Sequence, residues 1–187
     1  MGKMLKRPHQ DFKTTQTYSN FAAIMCWTIQ RIRTSSVNQG TNLATRQVPQ
    51  DDTNFPIFDS IQLAMLNATI EGYFGSLPNT SGQLNSLHLT DNNGDDISAL
   101  AFAIALRNAV AHGDGRQVKP VNRPGQLVGF EFSLSNPGGF PEWQCQTQLN
   151  RSAMAQIAGK LVDEFCSSFR QRHPSIERDV VTIGESE

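Results

Sequence analysis

Leu100-Ala101-Phe102-Ala103-Ile104-Ala105-Leu106-Arg107-Asn108-Ala109-Val110-Ala111-His112-Gly113 is the most apolar stretch of the chain, and Asp114-Gly115 follows it directly. From Ala99 to Ala111 only Arg107 and Asn108 are polar, so the pattern predicts a helix enclosed by protein on nearly every side. Asn92-Asn93-Gly94 reads as a turn before it, Asp95 or Asp96 can cap its first amides, and Gly113 stands where a left-handed stop is wanted. His112 then occupies the last helical turn. At about 100° per residue, Asn108 and His112 are one turn apart on the same face, and Arg107, one step away, is long enough to bend round and join them. An imidazole, an amide and a guanidinium are thereby expected on one patch. Six alanines thin this helix and would let another helix, from a second copy of the chain included, approach closely. The plain alternative is that His112 complements the helix dipole and Arg107 is a structural partner.

With 187 residues the chain suits a single domain, 1–187, long enough to bury a core without staples, with 1–11 and 175–187 expected to be flexible. A net charge of −1 excludes a global polyanion-binding signature, so any contact with nucleic acid must be local. Cys26, Cys145 and Cys166 are odd in number and far apart, which argues against a disulfide framework and against a zinc site; a reducing cytoplasm fits them. No apolar segment follows Lys3, Lys6 and Arg7, so no export signal is expected. The apolar run Ala99 to Leu106 is far shorter than the roughly 20 residues of a membrane span, and no membrane partner is expected.

Further out, Tyr18, Phe21, Met25, Ile29 and Ile32 recur at helical spacing and predict a helix from about Phe12 to Arg33. Residues 35–52 lack periodicity. Pro56 then sits in the tolerated first turn of a second helix, whose stripe of Ile57, Ile61, Met65 and Ala68, widened by Phe58, Leu66, Ile70 and Tyr73, runs on until Gly72, Gly75 and Pro78 end it. Its acids, Asp59 and Glu71, read as solvated carboxylates, and His88 as an exposed residue of a polar, turn-prone segment. After the central helix Arg116, Lys119 and Arg123 arrive in a loop interrupted by Pro120 and Pro124. That loop is either a solvated charged segment or the lining of a phosphate-binding cleft. Leu127–Leu134 and Trp143–Leu149 alternate as two strands around Asn136-Pro137-Gly138-Gly139, and Phe130, Phe132, Phe140 and Trp143 are expected to pack on helices rather than stack bases. A final helix opens at Asn150 or Ser152 and carries Met154, Ile157, Ala158, Leu161, Val162, Phe165, Cys166 and Phe169 on its core face, until His173-Pro174 stops it. The expected fold is mainly α: an up-and-down bundle of four to five helices with a small β-hairpin inserted before the last helix.

Arg107-Asn108-Ala109-Val110-Ala111-His112-Gly113 resembles the signature of the HEPN superfamily, an arginine, commonly a polar residue after it, four to six intervening positions and a histidine near a helix end. The resemblance covers this short window. It implies a small helical bundle that dimerises so that two motifs face one another across a cleft. It further implies metal-independent endoribonuclease activity without a cofactor, of the kind used by toxins and phage-defence effectors. RNA, a second copy pairing through the Arg107–His112 helix, and an antitoxin protein are the partners it suggests.

The residue types suit that chemistry. Cleavage of RNA without a metal needs a base for the 2′-hydroxyl proton, a cation beside the phosphorane-like transition state and a donor on the phosphate. His112, Arg107 and Asn108 match these catalytic tasks in turn, with Arg116, Lys119 and Arg123 as RNA-binding candidates. The products would be a 2′,3′-cyclic phosphate and a free 5′-hydroxyl. Two other readings stand beside this one: a non-catalytic module that dimerises and binds nucleotide, RNA or a partner protein, and a purely structural helical domain.

Overall fold

The computed structural model describes residues 8–33, 55–77, 96–112, 117–135 and 143–172. Along them run α1 (Pro8–Arg33), α2 (Phe55–Leu66), α3 (Ile70–Phe74), α4 (Ala99–His112), β1 (Val118–Arg123), β2 (Gln126–Ser135), β3 (Gln144–Asn150) and α5 (Arg151–Arg172). The strands form an antiparallel sheet in the order β1-β2-β3. This corrects the expected mainly α bundle with its small hairpin. Among the described residues the fold is α+β, five helices with a three-stranded sheet.

The missing strand is β1, and its prolines explain why it reads as a loop. Pro120 pairs with Phe130 on an edge strand, where a missing N–H leaves no second neighbour unmatched. Pro124-Gly125 then makes the turn into β2, with Gly125 at φ 75°, the order of residues a type II turn favours. Lys119 and Arg123, expected in a basic loop, lie instead on β1.

Alternation along β2 sends Phe132 and Leu134 into the core, with Leu149 and Thr147 of β3 beside them. α1 crosses this inner face: Tyr18 stacks on Phe130 at 4.1 Å between ring centroids, and Phe21 meets Phe132 edge-on at 6.1 Å. Phe21, Met25, Ile29 and Ile32 are fully buried, so the 3.6-residue stripe of α1 is the floor of the core. The outer face is polar, and on it Gln148 Nε2 donates to Glu131 Oε2 at 3.1 Å.

The second helix is interrupted where a continuous stripe is expected. Thr69 leaves helical geometry (φ −67°, ψ 166°), its Oγ1 accepts from Gly72 N–H at 3.1 Å as the cap of α3, and it bridges to Ser98. A side chain that can satisfy free amides competes with helix continuation, and at Thr69 the competitor wins. The bridge sets the start of α4, whose first amides are capped by Ser98 rather than by Asp96, with Asp95 outside the described residues: Ala101 N–H donates to Ser98 Oγ at 3.2 Å.

α5 is capped by Asn150, whose Oδ1 accepts from Ala153 N–H at 2.8 Å. Asn150→Ala is expected to lower stability by about 1 kcal/mol, read as a reduced urea midpoint at unchanged slope. The first half of α5 is core, with Met154, Ile157 and Leu161 fully buried. Farther along, Val162 is 40% exposed, against the expected core position, and Phe165 joins Trp27 and Phe58 in an aromatic cluster with centroids 5.2 and 5.5 Å away.

Cys145 pairs with Leu134 in the sheet and is half-buried. Burial pushes its thiol up from the ordinary 9.0 to about 11. The folded chain therefore holds this proton more tightly than the unfolded chain, so the contribution is complete below about pH 9 and is lost as pH rises through 11. Urea midpoints are expected to fall between those limits, less steeply in Cys145→Ala.

Candidate functional site

α4 lies between α1, α2, α3 and β2, and its burial changes along its length. Leu100, Phe102, Ala103, Ala105 and Leu106 are buried; Arg107, Asn108 and Val110 are half-buried; Ala111 and His112 are exposed. The helix thus passes from core to surface at the three polar residues that the sequence singles out.

Arg107 is tightly engaged. Its Nη1 donates to Asn108 Oδ1 at 3.0 Å, and its Nη2 donates to Oε1 of Gln30 on α1. Both acceptors are neutral amides, and no carboxylate pairs with this guanidinium among the described residues. Its Nε is buried without a hydrogen-bond partner. A buried donor left unmade costs about 1–3 kcal/mol, so this arginine is retained at some expense to stability.

The structure brings Arg107 and Asn108 together and leaves His112 apart. Helical rise puts His112 about 6 Å beyond Asn108 and about 7.5 Å beyond Arg107 along the axis, on an exposed turn. No hydrogen bond joins its imidazole to either residue among the described contacts. Of the basic candidates, Lys119 and Arg123 are exposed on β1, with Lys119 opposite Glu131, an acid that tempers its attraction for phosphate. Arg116, Asp114 and Gly113 lie outside the described residues, as do His88, His173, Phe140 and the segments 35–52 and 79–94. Glu71 is exposed.

The residue that sequence reasoning misses is Gln30. It stands 77 positions from Arg107 and next to the buried Ile29, where an uncharged amide gives no local signal. Its neighbour Arg31 lies over the Trp27 ring at 4.3 Å and so stands on another face of α1.

Comparison with protein-family models, with curated proteins and with solved structures finds no match to this chain. At the opposite end of α4, Leu66, Ser98, Leu100, Ala101, Ile104, Ala105 and Ser135 line a hollow of about 170 Å³, with no titratable group among these described residues. No helix among the described residues is long and apolar enough to cross a membrane.

Proposed function

We infer that this chain is a metal-independent endoribonuclease of HEPN type, acting as a toxin or phage-defence effector, with Arg107, Asn108 and His112 as its chemical residues. The observation that carries the reading is an arginine that, among the described residues, has two neutral amide partners and no carboxylate, where a buried helix reaches the surface. A guanidinium has five N–H donors; among the described residues two are used on Asn108 and Gln30 and one is buried, which leaves two on the terminal nitrogens to offer a phosphate. Because Asn108 accepts through Oδ1, its amide N–H groups are without a partner among the described residues and can serve as further donors. In the reaction, His112 takes the 2′-hydroxyl proton as the 2′-oxygen attacks the adjacent phosphorus, Arg107 offsets the charge gathered on the phosphoryl oxygens, and the bond to the 5′-oxygen breaks, that oxygen taking a proton from water to leave as the free 5′-hydroxyl. A second copy pairing through α4 would bring a second Arg107 and His112 to the same cleft.

The test is incubation of the protein with single-stranded RNA in EDTA. We expect fragments ending in a 2′,3′-cyclic phosphate, no cut at a site carrying a 2′-deoxy sugar, and loss of cleavage in His112→Ala, whose exposed side chain can be removed without disturbing the core. Undiminished cleavage by His112→Ala would refute the assignment. The separation of His112 from Arg107 favours one alternative, a non-catalytic module that binds RNA or nucleotide through Arg107; it predicts binding without cleavage.

A further inference from the structure

We propose that Gln30 is the positioning residue of the anion site: its carbonyl oxygen aims the Arg107 guanidinium without neutralising it, so that the site takes a phosphate oxyanion. The proposal rests on the reading of Arg107 as the phosphate-binding cation. It stands on the path of α1, which fixes where that oxygen lies. Ile29 and Ile32 are fully buried on either side of Gln30, and Trp27 is held edge-on against Phe58 and Phe165 at 5.6 and 5.2 Å, so α1 cannot rotate about its axis without breaking the core. From this fixed helix Gln30 Oε1 accepts from Arg107 Nη2, while Asn108 Oδ1 holds Nη1 at 3.0 Å. Each terminal nitrogen is pinned by one amide oxygen, which determines the plane of the fork.

The identity of the residue matters as much as its place. A glutamate at position 30 has the same reach and would also accept from Nη2, but it would form an ion pair that cancels the charge an incoming phosphate must meet. A methionine would fill the space and accept nothing. Glutamine alone of the three directs the guanidinium and leaves its charge in force. The oxygen faces Arg107, and among the described residues the Gln30 amide N–H groups have no hydrogen-bond partner.

The experiment follows the Nε–Hε resonance of Arg107 by nitrogen-15 NMR, assigned by its disappearance in Arg107→Lys, during titration with inorganic phosphate and then with an all-2′-deoxy oligonucleotide that cannot be cut. In the wild-type protein the resonance is expected to be sharp and to shift with either probe. In Gln30→Met it should broaden as the side chain gains freedom. In Gln30→Glu it should stay sharp, with phosphate binding about tenfold weaker and thermal stability equal or higher, a combination that loss of fold cannot produce. A wild-type resonance indifferent to phosphate, or variants that leave both sharpness and response unchanged, would overturn the proposal. A Gln30-dependent phosphate response in a protein that cuts no RNA would refute the ribonuclease reading alone.

Discussion

Arg107→Ala is expected to reduce RNA cleavage by about 10²- to 10³-fold, the usual effect of removing one preorganised donor from a developing oxyanion. Single-turnover cleavage in EDTA measures it, and stability measured on the same sample separates it from misfolding. The guanidinium carries a buried, unpaired Nε, and its two acceptors are half-buried amides that water can satisfy once the arginine is gone. Truncation should therefore leave stability unchanged or raise it by about 1 kcal/mol. Activity and stability moving in opposite directions is the pattern of a residue kept for function at the expense of the fold. Arg107→Lys should fall between, because a single ammonium keeps charge but cannot hold the Gln30 and Asn108 oxygens and still offer two donors. Full activity in Arg107→Ala would place the chemistry elsewhere.

Gly129→Ala is expected to lower stability by about 3 kcal/mol, at the upper end of ordinary overpacking. A Cβ at Gly129 would sit 2.5 Å from the Leu149 carbonyl oxygen and 3.1 Å from Asn150 Cα, and both obstacles are backbone of the neighbouring strand. Neither can swing aside as a side chain would. Relief requires β2 and β3 to separate where α5 begins. Gly159 in α5 is the control: nothing lies within 4 Å of its added Cβ, so Gly159→Ala should raise stability by about 0.5–1 kcal/mol through helix propensity. Urea unfolding of the two variants, compared by midpoint, checks both signs. Equal effects would mean that the close approach of strands at Gly129 is not a constraint.

The helices were legible wherever burial follows a 3.6-residue period, as in the stripe Phe21, Met25, Ile29, Ile32, and the two long strands wherever alternation is clean, as in Phe130, Phe132, Leu134. The first strand was hidden because Pro120 and Pro124 ordinarily argue against a strand, and only its edge position and the Pro124-Gly125 turn reconcile them with the sheet. Thr69 hid the break between α2 and α3 for a related reason: the apolar stripe runs through it, while the decision belongs to a local hydrogen bond. At the site, the adjacency of Arg107 and Asn108 is written in one helix. Gln30 is not, because a tertiary contact between neutral polar groups leaves no period, charge or spacing to read.

Asn150 closes the last strand and also supplies the cap of the helix that follows it. No connecting residue separates the two elements, so a tug on either is felt at once by the other, like two links of a chain with no slack between them. Sheet and C-terminal helix should accordingly open as one cooperative unit, and deuterium should enter their amides at a common rate set by a single opening event.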